Sequence, residues 1–530
     1  MADKPIRVLV SDKLAQEGVD ILTETSGVEV TVKTGMTPDE LKGVIGEFDA
    51  IIIRSATKLT ADILECATNL KAIARAGVGV DNVDIPAATR QGAIVMNTPG
   101  GNTVSTAELA VTLLLALSRH IHPACQSLKE GAWDRKKYQG TEVNGKTLGL
   151  LGLGRIGCEV ARRCRAFNMR VLAYDPFISE DRAKALGIEL VPDVMALVKE
   201  IDYLSVHTPL TDETRAIIGT DAFAAMKDGV RVVNGARGGI IDEEALLAAL
   251  ESGKCAGAAL DVYTEEPPTD RRVVEHPHVL CTPHLGASTE EAQISVAIDA
   301  AKQIVDALKN GEIRFALNFP ALSAEDASEL APYGRLAYKL ARFAGGMVDG
   351  QIRSMELAYE GEVAERDLRG VTLQAVLGLM SCVDEGVNPV SAAAVARDRG
   401  IDIRESKNER RGDFHSLLTV RIDTSEGIRE VAGTIFGREI PRIVMVDGYH
   451  VEADPEGTLL IMNNEDKPGV IGAVGSALGD AAINIGAMNW GRKGDLALCV
   501  INVDADEVPA EVHKSLKALA GVKRVRQVRI

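Results

Sequence analysis

Three short segments of the chain carry the residue types that proton removal from a small hydroxy acid would need. ARGGIIDEEAL contains Arg237, ALDVYTEEPP contains Asp261 and Glu266, and CTPHLGAS contains His284. Each follows a short apolar run that is typical of a buried strand. A histidine can accept a proton near neutral pH, and a nearby carboxylate stabilises the imidazolium that results. An arginine can bind a substrate carboxylate through two hydrogen bonds. The three segments together therefore suit acid–base chemistry on a hydroxy acid.

His207 leaves the identity of the base open at this point. In the segment HTPL it also follows an apolar run, Tyr203–Val206, so the pattern fits it as well as His284. A single histidine is more often an ordinary core or surface residue than a base.

A glycine-rich turn indicates what else binds near these residues. The stretch TLGLLGLGRIGCEVARRCRAFNMRVLAYD predicts a strand, a turn, a helix and a second strand. Gly152, Gly154 and Gly157 have the order G-x-G-x-x-G, which gives a tight turn, backbone access for a pyrophosphate and close helix packing. The helix N-terminus offers free N–H groups to the phosphates. Asp175 follows Gly157 by 18 residues and can hold a ribose 2′-hydroxyl. Because a carboxylate repels a 2′-phosphate, we predict NAD rather than NADP.

Strands and helices alternate after this turn, which predicts a parallel sheet whose carboxyl edge carries the site. The predicted strands are Tyr203–Val206, Val230–Asn234, Ala258–Asp261 and Val279–Cys281. A similar α/β unit without a glycine fingerprint precedes the turn, and Arg54 and Arg75 end two of its strands. Arginine side chains there suit a phosphorylated substrate. Arg135, in the run DRKK, is a third candidate, with a solvated surface arginine as an equal alternative.

Four domains are predicted. A helix over about 106–130 leads into the glycine turn, and a helix over about 289–310 carries the chain back to the first unit. The fold class is α/β, with two Rossmann-like doubly wound parallel sheets followed by two α+β units. The domains are 1–99 with 288–318, 100–287, 319–455 and 456–530, the last in the ferredoxin-like order β-α-β-β-α-β.

Composition limits the classes of partner. The net charge of −17 over 530 residues argues against nucleic acid, which needs a basic face. Eight cysteines without a C-x-x-C pair indicate a reducing compartment, and we expect no metal site. The N-terminal segment enters a strand with no signal-peptide pattern, and the most apolar run, Leu109–Leu117, is shorter than the roughly 20 residues that cross a bilayer. We therefore expect a cytoplasmic protein that does not bind membranes.

The motifs GLGRIG, HTPL, NGARGGIIDEEAL, AALDVYTEEPP and TPHLGAST, in this order, resemble the D-isomer-specific 2-hydroxyacid dehydrogenases up to about residue 318. RSATKLT, RAGVGVDNVD and MNTPGGNTVSTAEL narrow the resemblance to the phosphoglycerate branch of that family. The resemblance implies NAD-dependent oxidation of 3-phospho-D-glycerate to 3-phosphohydroxypyruvate, which opens L-serine biosynthesis. It also implies that His284 rather than His207 is the acid/base, that Glu266 orients it and that Arg237 anchors the substrate.

The same resemblance implies a set of binding residues. Those for the cofactor are Gly152, Gly154, Arg155, Ile156, Gly157, Asp175, Thr208, Gly235, Ala236, Arg237, Asp261, His284, Gly286 and Ala287. Those for the substrate are Arg54, Ser55, Arg75, Gly77, Val78, Asn102 and Arg135.

The last third of the chain resembles regulatory modules. NNEDKPGVIGAVGSALGDAAINIGAMNWGR is similar to an ACT domain, a small amino-acid-sensing unit, and 319–455 is similar to the intervening domain of the long-form enzymes. The resemblance implies effector contacts at Asn464, Asp466 and Asn484, with L-serine as the effector, and a homo-oligomer, either a dimer or a tetramer. A unit that only dimerises is the alternative.

Two other functions fit the same sequence. One is a different D-2-hydroxyacid dehydrogenase, or a reductase acting on 2-oxoglutarate. The other is a non-catalytic NAD-sensing scaffold, since proteins of that kind on this fold keep similar residues at the positions of Arg237, Glu266 and His284.

Overall fold

The computed structural model describes residues 4–320, 324–384, 386–410 and 412–530, and the side chains of 324–328 are not described. In this part of the chain the strands form four sheets, of five, seven, six and four strands. The first two sheets are parallel, and the last two are mainly or wholly antiparallel. The predicted fold class, two parallel α/β units followed by two α+β units, is confirmed.

The N-terminal residues form the first sheet. Its elements are β1 (Ile6–Val10), α1 (Gln16–Glu24), β2 (Val28–Val32), α2 (Pro38–Val44), β3 (Ala50–Ile53), α3 (Ala61–Leu64), β4 (Ala72–Arg75), α4 (Ile85–Arg90) and β5 (Ile94–Asn97). The strand order is β2-β1-β3-β4-β5. β3 and β4 are almost wholly buried because apolar clusters pack on both faces of the sheet. Arg54 and Arg75 therefore lie at the carboxyl edge of this sheet.

The second sheet carries the glycine turn. Its elements are α5 (Thr103–Ser118), α6 (Ile121–Lys129), β6 (Thr147–Leu151), α7 (Arg155–Ala166), β7 (Arg170–Tyr174), α8 (Glu180–Ala185), β8 (Glu189–Leu190), α9 (Val194–Glu200), β9 (Tyr203–Val206), α10 (Thr220–Ala225), β10 (Val230–Asn234), α11 (Glu243–Glu251), β11 (Cys255–Leu260) and β12 (Val279–Cys281). The strand order is β12-β11-β10-β9-β6-β7-β8. The order reverses between β6 and β9, and ligands bind in the crevice at such a reversal. The glycine turn, between β6 and α7, lies at this crevice.

The single helix predicted over about 106–130 is wrong. The chain forms α5 and α6 instead, and His120 between them has a left-handed φ of 50°. Pro123 has no N–H to offer to the carbonyl of Arg119, which disfavours a continuous helix at this point. No single helix among the described residues is long and apolar enough to span a membrane; α5 and α6 together reach that length but bend by 62°.

After β12 the chain returns to the first sheet. Helix α12 (Glu290–Val305) continues into a π-helical turn, Asp306–Asn310. Val296 and Ile304 of α12 pack in one apolar cluster with Val8 and Ile52 of the first sheet. The predicted return helix is thus present, and it completes the core of the N-terminal unit. The predicted domain limits themselves stay a prediction.

The remaining residues form the two antiparallel sheets. The third sheet and its helices are α13 (Ala324–Met347), β13 (Ile352–Gly361), α14 (Arg369–Met380), α15 (Ala392–Asp398), β14 (Asp402–Asn408), β15 (Ser416–Thr424), β16 (Gly427–Phe436), β17 (Ile440–Val446) and β18 (Tyr449–Ala453). The fourth unit is β19 (Thr458–Glu465), α16 (Val470–Asp480), β20 (Ile485–Lys493), β21 (Leu496–Val503), α17 (Ala510–Ala518) and β22 (Val522–Arg529). Its strand order, β20-β21-β19-β22, confirms the predicted ferredoxin-like arrangement.

The third and fourth units share a core. One face of the fourth sheet packs against α16 and α17, while the other face joins the apolar cluster of α13. The residues that cross this boundary are Leu459, Ile461, Leu498, Val500 and Val528, against Leu340 and Phe343. The two units therefore form one packed body.

Candidate active site

The glycine turn has the geometry of a phosphate-binding turn. Gly152 has φ 95°, and a Cβ there would lie 2.7 Å from the carbonyl oxygen of His207. A Cβ at Gly157 would overlap the carbonyl oxygen of Gly152, so α7 packs directly against the turn. Next to Gly154 there is open space, and the N-terminus of α7 faces it. These residues fit the pyrophosphate of NAD, which needs bare backbone at a helix N-terminus.

Asp175 directly follows the next strand, β7, beside this turn. Its Oδ2 accepts a hydrogen bond from the Leu153 N–H at 2.7 Å, and its Oδ1 accepts one from the Phe177 N–H at 2.9 Å. The carboxylate thus fixes the glycine turn and lies where a ribose would follow the pyrophosphate. Its role in preferring NAD over NADP stays a prediction.

His284 and Glu266 form a pair at the carboxyl edge of the second sheet. His284 Nδ1 lies 2.6 Å from Glu266 Oε2, and Glu266 Oε1 accepts a hydrogen bond from the Tyr263 N–H at 3.2 Å. The hydrogen bond with Glu266 raises the pKa of His284 against the opposing effect of burial. Burial has the largest single effect on the Glu266 pKa and raises it, but the hydrogen bond and charge of His284, the Tyr263 N–H and the charge of Arg237 together outweigh burial, so the Glu266 pKa is lowered. Since Nδ1 is occupied, Nε2 is the ring nitrogen left to exchange a proton with a ligand.

Asp261 supports the loop that carries His284. Its side chain is wholly buried, and the carboxylate accepts hydrogen bonds from the Thr282 hydroxyl and from the N–H groups of Leu285 and Gly286, at 2.6–2.8 Å. His284 has φ 54°, a left-handed conformation that these contacts hold in place. The structure thus places Asp261 beneath the loop, and its cofactor contact stays a prediction.

Arg237 reaches across the cleft to the first sheet. Its Nε lies 3.1 Å from Asp81 Oδ2, and its Nη1 donates to the carbonyl oxygen of Ala236 at 2.7 Å. A Cβ at Gly79 would overlap Arg237 Nη2, so a larger residue there would displace this guanidinium. Asn234 accepts from the Ala236 N–H and donates to the Arg237 carbonyl oxygen, which fixes the loop. Asp81 was not predicted, although it lies in the motif RAGVGVDNVD.

Arg54 and Arg75 complete a positively charged cleft. Arg75 is largely buried, and burial followed by the charges of Arg237 and Arg54 lowers its pKa to about 10. Burial also lowers the pKa of Arg54, while Asp12 opposes this shift. The Nε atoms of both Arg54 and Arg75 are buried without a hydrogen-bond partner. Since a buried donor costs free energy when it is unpaired, both groups suit an anionic ligand.

Most of the other predicted binding residues lie around the same cleft, at the carboxyl ends of strands or in the loops that follow them. On the substrate side these are Ser55, Gly77, Val78 and Asn102; on the cofactor side they are Thr208, Gly235, Gly286 and Ala287, while Ile156 lies in the first turn of α7. No contact among the described residues joins Arg135 to the cleft, and its role there stays a prediction. It is exposed in the loop after α6 and forms no hydrogen bond or ion pair with a described residue.

His207 is a poorer base than His284. Burial lowers its pKa to about 4, and Nε2 lies 2.8 Å from the Ser205 hydroxyl. None of its hydrogen bonds in the described structure involves a carboxylate that could stabilise an imidazolium. The geometry therefore favours His284, in agreement with the family resemblance.

The three predicted effector residues do not meet within one chain. Asn464 is buried and its Oδ1 has no partner, while Asp466 lies 3.4 Å from Arg492 at the same end of the fourth sheet. Asn484 lies at the opposite end, where it donates to Asp504 at 2.6 Å. The strand register separates Asn464 from Asn484 by roughly 20 Å.

Family models match two parts of the chain. The NAD binding domain of the D-isomer specific 2-hydroxyacid dehydrogenases matches residues 111–286, and the D-3-phosphoglycerate dehydrogenase intervening domain matches residues 329–447. Among known proteins, the chain is 45% identical to D-3-phosphoglycerate dehydrogenase of Archaeoglobus fulgidus, covering 98% of both chains. It is 41% identical to that of Bacillus subtilis, covering 94% of this chain and 95% of the relative.

Solved structures match a smaller part of the chain than these relatives do. A glyoxylate reductase from Paecilomyes thermophila is 31% identical with a TM-score of 0.55, and it covers 59% of this chain and 98% of its own. The apo D-lactate dehydrogenase of Escherichia coli is 31% identical with a TM-score of 0.52, and it covers 59% of this chain and 99% of its own.

Proposed function

Since the chain belongs to the D-3-phosphoglycerate dehydrogenase family and is an NAD-dependent enzyme, we propose that it oxidises 3-phospho-D-glycerate to 3-phosphohydroxypyruvate at this cleft. This reaction is the first step of L-serine biosynthesis. The observation that carries the proposal is one cleft that holds both the His284–Glu266 pair and three arginines, Arg54, Arg75 and Arg237.

The proton follows a short path in this mechanism. His284 Nε2 takes the proton of the C2 hydroxyl as the C2–O bond becomes a carbonyl. Glu266 holds the ring through Nδ1 and stabilises the imidazolium that forms. The glycine turn and Asp175 would hold NAD, which when bound would accept the hydride that leaves C2. Arg237 binds the substrate carboxylate and polarises the oxygen on C2.

The arginines favour a phosphorylated substrate. Arg54 and Arg75 offer buried, unpaired donors, and a phosphate has the acceptor oxygens and charge to satisfy them. A hydrogen bond to a charged group contributes about 1.5–3 kcal/mol. With two such contacts, the kcat/KM for phosphoglycerate should exceed that for unphosphorylated glycerate by at least about 100-fold.

The test is a steady-state comparison of 3-phospho-D-glycerate, D-glycerate and reduction of 2-oxoglutarate by the full chain. We expect phosphoglycerate to be preferred, and Arg75→Met to raise its KM by about 10-fold or more. Equal kcat/KM for the phosphorylated and unphosphorylated acids would contradict the substrate assignment. His284→Asn should lose about 100-fold or more of kcat while NAD still binds, and full turnover by this variant would contradict the assigned base.

Assembly and regulation are further parts of the proposal. Ile121, Leu128 and Trp133 are exposed apolar side chains on α6 and the loop after it, which suits a homo-oligomer interface. Arg135 lies exposed on the same loop, beside this proposed interface. L-serine as an effector needs two copies as well, because Asp466 and Asn484 lie at opposite ends of the fourth sheet. All eight cysteines are free thiols, which suits a cytoplasmic location.

A further inference from the structure

The segment 315–318, after the π-helical turn, extends the first sheet. Ala316 forms an antiparallel bridge with Met96 of β5, and the Leu317 N–H donates to the Val95 carbonyl oxygen at 2.8 Å. Asn318 adds three side-chain hydrogen bonds to the same region, at 2.8–2.9 Å. This segment is therefore fixed to the substrate side of the cleft.

Phe315 begins this segment in an unusual conformation. Its φ is 54°, in the left-handed region that a bulky residue rarely adopts. Its carbonyl oxygen accepts a hydrogen bond from the Asn97 N–H at 3.4 Å, and the bridge at Ala316 holds the next residue. Despite this fixed backbone, 47% of the side chain is exposed. Strain of this kind persists where the surrounding structure enforces it, often at functional sites.

The Phe315 ring lies against an arginine of the glycine turn. The guanidinium carbon of Arg155 is 5.7 Å from the ring centroid, within the range of a cation–π contact. Arg155 is the first residue of α7 and follows Gly154, beside the open space of the turn. It forms no other polar contact with the described residues, so this ring is what restrains its guanidinium. The contact joins the second sheet to the first across the cleft.

We propose that Phe315 is a positioning residue for the cofactor, which holds the Arg155 guanidinium beside the turn that binds the NAD phosphates. Free arginine side chains lose rotamer freedom when they bind a ligand, and a side chain already restrained loses less. The proposal rests on the NAD site alone and not on the identity of the substrate.

The first experiment measures NAD binding to the purified full-length protein by calorimetry. Phe315→Leu should weaken NAD binding by about 2- to 5-fold, the range of an exposed cation–π contact. Phe315→Tyr keeps the aromatic face and should bind NAD as the parent does. The control Phe436→Leu changes an aromatic residue of β16, which is 38% exposed, and should leave the dissociation constant unchanged. The KM for phosphoglycerate should not change in any of the three variants.

A double-mutant experiment tests whether Phe315 acts through Arg155. Arg155→Met alone should weaken NAD binding, and adding Phe315→Leu to it should weaken binding no further. Phe315→Gly is a second variant for the case that Phe315→Leu does not fold, because glycine adopts a φ of 54° without strain. It should weaken NAD binding as Phe315→Leu does.

Two results would overturn the proposal. One is an unchanged dissociation constant for NAD in Phe315→Gly. The other is a double variant, Arg155→Met with Phe315→Leu, whose loss of NAD affinity is the full product of the two single losses. A purely structural role of Phe315 would weaken NAD binding independently of Arg155 in this way. If the chain failed to oxidise phosphoglycerate while these NAD measurements came out as expected, only the proposed substrate would be wrong.

Discussion

At the level of single residues, the 2.6 Å hydrogen bond between His284 Nδ1 and Glu266 Oε2 sets the pH range in which the base works. His284 must be neutral to accept a proton, and Glu266 raises its pKa above the ordinary value of 6.5. The kcat/KM for oxidation should therefore rise with pH through this raised pKa. Glu266→Gln removes the cause of the shift, so the acidic limb should move to lower pH, and kcat should fall by about 100-fold.

The neighbouring residue supplies a control for that measurement. Glu265→Gln removes an exposed carboxylate that contacts Thr269 rather than His284, so its pH profile should match that of the parent. An acidic limb that stays in place in Glu266→Gln would mean that another group titrates in the profile.

Asp81 supports a second prediction about a single residue. It places a negative charge 3.1 Å from Arg237 Nε, beside the position of a triply charged substrate. Asp81→Asn keeps a hydrogen-bond acceptor for Arg237 but removes the charge. The KM for phosphoglycerate should therefore fall by about 2- to 5-fold at low salt, and the difference should shrink as salt is added. The KM for NAD should not change.

The matched control for Asp81 is Asp228→Asn. Asp228 is an exposed carboxylate paired with Lys254 at the opposite, amino edge of the second sheet. It should leave both KM values unchanged. A rise in the KM for phosphoglycerate in Asp81→Asn would show that the charge orients Arg237 instead of opposing the substrate.

Among the residues of the site, Arg237 could be predicted from the sequence, whereas its partner Asp81 could not. Arg54, Arg75, Arg237 and His284 could be predicted because each follows an apolar strand, and parallel strand ends meet at one edge. Asp81 lies in a turn, where no periodicity tells which way a side chain points. Arg135 was predicted for the substrate, and because it lies exposed in a loop and no contact among the described residues joins it to the cleft, this role stays a prediction.

At the level of elements, the close packing of α7 on the glycine turn depends on Gly157. A Cβ at this position would overlap the carbonyl oxygen of Gly152, which is backbone and cannot rotate away. Gly157→Ala should destabilise the second unit by about 1–3 kcal/mol. In calorimetric scans of the parent, the transition of the second unit is the one whose melting temperature NAD raises. Without cofactor, this transition should occur at a lower temperature in Gly157→Ala than in the parent.

Gly154→Ala is the control for this prediction. Its φ is −72°, and no atom lies within 4 Å of the added Cβ, so it should melt as the parent does. Equal melting temperatures for Gly157→Ala and the parent would mean that α7 shifts to make room.

The elements also differ in how well sequence predicts them. The parallel strands are buried on both faces and therefore appear as continuous apolar runs, as in β6 with all five residues buried. β14, with the sequence DIRESKN, is an exposed edge strand with no apolar alternation, and its pairing with β13 was not predicted. A helix break such as that at His120 is a local event that the apolar pattern of α5 and α6 does not show.

At the level of the whole molecule, the shared core of the third and fourth units makes one body of two predicted domains. Leu459 and Val500 of the fourth sheet lie in the same apolar cluster as Phe343 of α13. The sequence predicts the ferredoxin-like order of the fourth unit, but it does not show what covers the face of the sheet opposite α16 and α17. A change at the effector end of the fourth sheet can therefore reach α13, the helix that follows the catalytic units.

The proposed serine site provides a prediction about assembly. If two copies pair symmetrically, each site uses Asp466 of one copy and Asn484 of the other, because one chain holds them roughly 20 Å apart. Asp466→Ala and Asn484→Ala should each abolish inhibition by L-serine in an oligomer whose copies all carry the same substitution. Glu511→Gln, an exposed change on α17, should leave inhibition as it is in the parent.

Co-expression of Asp466→Ala chains with Asn484→Ala chains separates a shared site from one within a chain. In a mixed pair one site contains both substitutions, while the other joins an intact Asp466 to an intact Asn484. Purified mixed oligomers should therefore bind serine at half the parent's number of sites, measured by calorimetry, and recover partial inhibition. A site formed within one chain would carry one substitution in every copy, so mixed oligomers that stay as insensitive as the single variants would rule out the two-copy site.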